Sequence, residues 1–226
     1  MSNNEKILGI SGSPIPDSNT DRAVRHILAS SGLDHEFVKL SKLHLEPCRA
    51  CLGCVKDNEC VIDDDGRRLA EQFRDAAGFV LGAFTPYSSL DARTKAFMER
   101  MYCFRHRTGG NRGKPGVAVI TTAFPAETDD LPPAAETAGA QIQFWALEEG
   151  LDLLGTMVLV GNVPCIRCGH GDSCAVSGIR MVHGPVASVD SVGVQRFEDQ
   201  AALLDQATEL GRKLAGAVRG SKEPTT

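Results

Sequence analysis

Lys6 to Thr20 reads KILGISGSPIPDSNT, the residue order of a short buried strand, a hydroxyl-bearing loop and the start of a helix. Outward from it, Asn19 to Ser31 carries Ala23, Val24, Ile27 and Leu28 at helical spacing, and His35 to Leu40 reads as a second short strand. Apolar runs of strand length recur at Gly78 to Pro86, Pro115 to Phe124 and Leu153 to Gly161. Helical patterns separate them: one from Asp63 with Leu69, Ala70 and Phe73, one from Leu90 to His106 with Phe97, Met101 and Phe104 inward, and one from Glu136 to Gly150 with Ile142, Trp145 and Leu147 to bury. Arg196 to Arg219 closes the chain as a last helix. Strands that are apolar throughout rather than alternating, with helices between them, predict an α/β fold: a doubly wound five-stranded parallel sheet covered on both faces.

At 226 residues, 42% of them hydrophobic, the chain is expected to form a single domain over 1–219, with 220–226 a frayed tail. A net charge of −5 and few aromatic residues disfavour nucleic acid as a partner, which needs a basic face. No apolar stretch approaches the roughly 18 residues of a membrane span, and the first residues carry no basic-then-apolar leader, so a cytoplasmic protein is expected. The one basic run, Arg105 to Lys114, reads as a solvated helix end and turn, or as a site for an anionic nicotinamide cofactor or an acidic redox partner.

The loop after the first strand faces the amides and dipole of a helix N-terminus, an arrangement that binds anions. It lacks the Gly-Lys-Ser/Thr of a nucleoside triphosphate loop, and Gly9-x-x-Gly12 is not a dinucleotide fingerprint. Hydroxyls take their place: Ser11, Ser13, Ser18 and Thr20, with Asn19 at the helix start. Such a loop suits a terminal phosphate monoester held without a metal, as in FMN.

Pro47 to Cys60, PCRACLGCVKDNEC, gathers four of the eight cysteines at spacing Cys-x2-Cys-x2-Cys-x5-Cys. Cys48, Cys51 and Cys54 can wrap three corners of an iron-sulfur cube and Cys60 can reach back for the fourth. A zinc site or uncombined thiols are the alternatives, and disulfides do not suit a cytosolic chain.

GISGSP with SNT, a compact cysteine loop, then DD, then TPYS after the third strand, resembles the iron-sulfur flavoprotein family of the flavodoxin-like, NADPH-dependent FMN reductase superfamily. The resemblance covers roughly residues 5–160 and implies a 2-1-3-4-5 sheet with FMN at the carboxyl ends of its strands. It implies phosphate contacts from Ser11, Ser13, Ser18, Asn19 and Thr20, and an isoalloxazine bordered by Thr85, Pro86, Tyr87, Ser88 and Ser89. Thr121, Thr122 and Ala123 would close its far side. A 4Fe-4S cluster on Cys48, Cys51, Cys54 and Cys60 follows from the same likeness, with flavin and cluster approaching across subunits of a dimer or tetramer. So do ferredoxin-like partners or small oxidants such as a quinone. Ile15 departs from the pattern, standing where the family often shows arginine.

Cys165-x2-Cys168-x5-Cys174 repeats the spacing of Cys51, Cys54 and Cys60 within a long excursion, 162–195, that follows the fifth strand. Strands two and five are opposite edges of a 2-1-3-4-5 sheet, so the two groups are not expected to share one cluster. A second centre, iron-sulfur or zinc, would need a fourth ligand from Cys103, His170, His183 or another subunit. The reading is therefore an oxidoreductase whose chemistry lies on FMN and which couples one-electron donors to two-electron reduction through the 4Fe-4S loop. The alternatives are an NAD(P)H-dependent FMN or quinone reductase and a non-enzymatic redox or metal sensor. The cysteine loop, leaving the second strand at its carboxyl end, is expected to face the flavin.

Overall fold

The computed structural model describes residues 5–124 and 133–220. Five parallel strands, β1 (Ile7–Ser11), β2 (His35–Lys39), β3 (Gly78–Phe84), β4 (Pro115–Thr122) and β5 (Asp152–Val160), form one sheet in the order 2-1-3-4-5. Register is continuous except for a shift between Gly116 and Val117 where β4 meets β5.

Side chains alternate across a strand, and that alternation divides the core in two. Leu8 and Ile10 of β1, Phe79, Leu81 and Ala83 of β3, and Ala118 and Ile120 of β4 face one side. There they meet helices α2 (Asp65–Asp75), α3 (Ala92–Arg100) and α4 (Ala134–Glu149). The centre is an aromatic group in which Phe73, Phe79, Phe97 and Trp145 lie with ring centroids 5.3–6.1 Å apart. Ile7, Val80, Val117, Val119, Met157 and Leu159 face the other side, against α1 (Asn19–Ser31) and the last helix, Ala201–Gly220. Burial on both faces is what made the inner strands β1, β3 and β4 read as apolar runs, while the edge strands β2 and β5 are partly exposed.

Several expectations are corrected. The helix expected to run to His106 ends at Arg100 and tightens into a 3₁₀ turn at Met101–Phe104. The closing helix begins at Ala201, with Phe197 in a separate 3₁₀ turn. Leu147, expected inside, is 74% exposed beside Phe144 at 63%, because α4 presents apolar residues to solvent as well as to the sheet. The excursion after β5 holds only two short α-helices, α5 (Gly178–His183) and α6 (Val189–Val192), and a 3₁₀ turn at Pro164–Ile166, which explains its lack of sequence periodicity. By this count the last helix is α7. The proline-bearing loop between β4 and α4 lies mostly outside the described residues.

Candidate functional site

The β1–α1 loop is built over a buried ion pair. Ser18 caps α1 in a capping box, its hydroxyl accepting from the Asp21 amide while the Asp21 carboxylate accepts from the Ser18 amide. The same carboxylate accepts from Ser11 Oγ at 2.6 Å and from Lys39 Nζ at 2.5 Å. Lys39, at the end of β2, also donates to the Ile15 carbonyl at 2.7 Å, pinning the loop from below. Ser11 and Ser18 are thus committed to Asp21. Ser13 and Thr20 are buried in the same loop and helix start, where helix geometry leaves the first amides of α1 without intrahelical acceptors. Neither Asp21 nor Lys39 was among the sequence candidates. The Ser18-x-x-Asp21 spacing could have revealed the first, whereas Lys39 has no local signal.

The three sequence-predicted segments meet at one rim. Thr20 Oγ1 lies 2.7 Å from Thr121 Oγ1, and the Thr85 amide donates to the Thr121 carbonyl at 3.2 Å. Gly12 lies against the start of α3, where an added Cβ would come within 2.0 Å of Thr94 Oγ1 and 2.7 Å of the Asp91 carboxylate. Tyr87 and Ser88, with φ of 51° and 58°, occupy the left-handed region that non-glycine residues seldom adopt. The Tyr87 ring is fully exposed above the rim. Such backbone strain clusters where a loop must hold a ligand-facing shape. Thr122 Oγ1 accepts from the Phe124 amide, with Ala123 between them. Asn19 differs from expectation: its side chain donates to the Gln195 carbonyl and accepts from the Phe197 amide, holding the exit of the excursion rather than facing the loop.

Cys48, Cys51, Cys54 and Cys60 line one small cavity, walled by Leu52, Ile62, Arg100, Tyr102 and Cys103. Ala50, Leu52 and Asn58 all have left-handed φ, turning the chain sharply between the cysteines. The Ala50 amide donates to Cys48 Sγ at 3.4 Å, and His106 Nε2 lies 3.2 Å from Cys54 Sγ. Arg100 is fully buried and grips Asp64 through both terminal nitrogens, at 2.7 and 2.8 Å. Its Nε has no partner among the described residues. A donor so placed on a thiol-lined wall fits a group bearing sulfur acceptors, and four soft thiols fit an iron-sulfur cluster or zinc.

Cys103, weighed as a ligand of a second centre, instead lines this first cavity, where burial pushes its thiol up to about 12. Among the described residues no three His, Cys, Asp or Glu side chains converge on a single metal ion. Thiols around an iron-sulfur cube stand farther apart than ligands around one ion. The cavity meets the carboxyl-terminal end of α3, while the β1–α1 loop meets its start. Thr94 beside Gly12 and Glu99 on the cavity wall are five residues apart, about 8 Å along the helix. The cysteine loop leaves β2 at its carboxyl end, as expected.

The basic run is occupied by the protein itself. Arg105 pairs with Glu148 at 3.0 Å, Arg107 donates to the Lys56 carbonyl, and Thr108 accepts from Asn58 at 3.0 Å, so this segment clasps the cysteine loop. Beside it, burial pushes Glu149 up to about 7, against the pull of Arg105. A carboxyl with a raised folded pKa holds its proton longer in the native state, so its contribution to stability falls as pH rises from about 4.3 to about 7. Glu149→Gln is expected to remove that decline and to be more stable than the parent by about 2 kcal/mol at pH 8 but not at pH 4, as read by urea unfolding.

Cys165, Cys168 and Cys174 lie in the excursion, on the edge of the sheet opposite β2. The Gly178 amide donates to Cys165 Sγ at 3.2 Å and the His170 amide to Cys168 Sγ at 3.4 Å.

Residues 5–148 match the family model described as NADPH-dependent FMN reductase. An iron-sulfur flavoprotein of Methanocaldococcus jannaschii is 33% identical over 224 residues, covering 95% of this chain and 97% of that protein. An iron-sulfur flavoprotein of Methanosarcina thermophila is 26% identical over 211 residues, covering 92% and 97%. The fold is shared with an NADH:FMN oxidoreductase in its apo form, at TM-score 0.61 and 13% identity over 99% of this chain and 94% of that one. It is shared too with an NAD(P)H:quinone oxidoreductase from Methanothermobacter marburgensis, at TM-score 0.60 and 14% identity over 93% and 97%. Among the described residues no helix is long and apolar enough to cross a membrane.

Proposed function

Because the chain belongs to the NADPH-dependent FMN reductase family, and within it to the iron-sulfur flavoproteins, we propose that it is an electron-transfer oxidoreductase carrying FMN and one 4Fe-4S cluster. Bound, the two groups would supply one-electron chemistry at the cluster and two-electron chemistry at the flavin. The observation that carries this reading is the single cavity lined by all four clustered thiols and by the unpartnered Nε of buried Arg100.

Cys48, Cys51, Cys54 and Cys60 would ligate the cluster, and Arg100 Nε–H would donate to a ligating sulfur. Ser13, Thr20 and the first-turn amides would hold the phosphate, with Ser11, Ser18 and Asn19 shaping the loop from behind. Thr85 to Ser89 and Thr121 to Ala123 would border the ring system. The protein would act as a homo-oligomer in which one subunit's cluster serves another's flavin. Exposed Phe144, Leu147 and Tyr87 are apolar surface available for such an assembly. A ferredoxin-like protein or a small oxidant would complete the chain of transfer in the cytoplasm.

Anaerobic purification followed by iron, acid-labile sulfide and flavin assays tests the proposal. About four irons or more and about one FMN per chain are expected, and zinc without sulfide would sink it. The family description also supports reduction by NADPH. Anaerobic bleaching of the flavin by NADPH with steady turnover would assign the protein as a reductase, with the cysteine centre secondary.

A further inference from the structure

The excursion between β5 and α7 lies beyond the residues matched by the family model, yet it is a built substructure. Ile179 is fully buried, Ser177 Oγ donates to the Gly171 carbonyl at 2.6 Å, and the Val189 amide donates to Asp172 Oδ1 at 2.7 Å. Its two ends are tied together, the Asn162 side chain donating to the Gln195 carbonyl and accepting from the Gln195 amide, both at 2.8 Å. Asn19, in the first turn of α1, holds the same Gln195 carbonyl and the Phe197 amide. On the other side the Gly161 amide bonds the Thr122 carbonyl at 2.6 Å. The root of the excursion therefore sits on the rim formed by Thr20 and Thr121. Cys165 is three residues past Asn162, so its Cα lies within about 11 Å of that root.

We propose that Cys165, Cys168 and Cys174 hold a second iron-sulfur cluster, placed beside the phosphate rim of its own subunit. Their x2 and x5 spacings repeat those of Cys51, Cys54 and Cys60. Backbone donors are already aimed at two of the sulfurs. The His170 amide reaches Cys168 Sγ from two residues ahead, as the Ala50 amide reaches Cys48 Sγ, each at 3.4 Å. The Cys174 amide bonds the His170 carbonyl at 2.9 Å, closing the turn that brings the third cysteine round. Amide donors of this kind offset the charge of ligating thiolates. Three soft thiolates select iron-sulfur or zinc. The cluster is preferred because the spacing repeats that of the first cysteine loop, where a zinc knuckle would pair two short Cys-x2-Cys turns. Cys103 is excluded as fourth ligand by its place in the first cavity, and that corner falls to a non-cysteine group, for which His170 stands in the same turn.

The proposal takes the flavin site of the preceding section as its neighbour but does not depend on the first cluster. Its test compares the full-length protein with Cys168→Ser and with the Cys165→Ser, Cys168→Ser, Cys174→Ser triple variant. Each is reconstituted anaerobically with ferrous iron and sulfide and assayed for iron, sulfide, zinc and flavin, with electron paramagnetic resonance after dithionite. The triple variant is expected to lose roughly half of the iron and sulfide and one component of the reduced spectrum while keeping its flavin. Cys168 is exposed, so the single variant keeps the packing and should lose the same component with unchanged circular dichroism. Equal iron and sulfide in parent and variants would overturn the second cluster and leave the first intact. Loss of zinc without sulfide would overturn it as well, and iron absent from the parent would overturn both.

Discussion

Arg100→Ala is expected to cost about 3–5 kcal/mol of stability at neutral pH and to empty the first cysteine cavity of metal. Both side chains of the Arg100–Asp64 pair are out of solvent, at 0% and 1% exposure, and the guanidinium holds the Glu46 carbonyl as well, at 3.0 Å. Truncation leaves the Asp64 carboxylate buried without its counter-charge. Burial pushes the Asp64 carboxyl up, but hydrogen bonds from Arg100 and from the Glu46 and Gly66 amides, with the Arg100 charge, outweigh it and hold it below its ordinary value. A lowered folded pKa means that stability is present above the unfolded value of about 3.9 and is lost as pH falls through the folded one. In the variant the pull is gone and burial remains, so the deficit should be largest near pH 7 and shrink toward pH 4. Urea unfolding at the two pH values reads this directly. Arg100→Lys keeps the charge but loses the fork and the free Nε, and should cost about 1–2 kcal/mol while shifting the cluster's midpoint potential. A loss below about 1 kcal/mol for the alanine variant would show that the pair does not anchor the loop.

The sheet was legible because its inner strands β1, β3 and β4 announced themselves as apolar runs, the mark of burial on both faces. Its boundaries moved by only a residue or two. That Cys48, Cys51, Cys54 and Cys60 gather on one cavity was legible by spacing alone. What sequence could not supply is what depends on long-range closure. Arg100 looked like one more charged residue on a helix, yet it is buried because Asp64, 36 residues earlier, turns to meet it. Cys103 lies one position off the apolar stripe of its helix, and only the 3₁₀ tightening after Arg100 brings it to the cavity wall. Leu147 misled because α4 is apolar on two sides, and periodicity does not say which side a neighbour covers. Asn19 read as a phosphate contact from its place in the loop, while its partners lie more than 170 residues away.

The second large effect is expected at Asp21, the acid beneath the phosphate loop. Asp21→Asn keeps the shape and an acceptor for Ser11 but removes the charge that neutralises Lys39, whose side chain is 7% exposed. An unpaired ammonium at that depth should cost about 3–5 kcal/mol. The loop should loosen with it, because Lys39 also carries the Ile15 carbonyl and Asp21 also carries the Ser18 amide. Flavin affinity is then expected to fall at least about tenfold, or about 1.4 kcal/mol, though Asp21 lies behind the loop and need not touch the ligand. Adding Lys39→Met should separate the two effects. With both charges gone, the buried pair is replaced by apolar volume, and most of the stability should return. The bond to Ile15 does not return, so flavin affinity should recover less than stability does. A double variant no more stable than Asp21→Asn alone would show that Asp21 acts through the capping box rather than through Lys39. Unfolding midpoints and fluorescence titration with FMN on the four proteins of the cycle decide between the two.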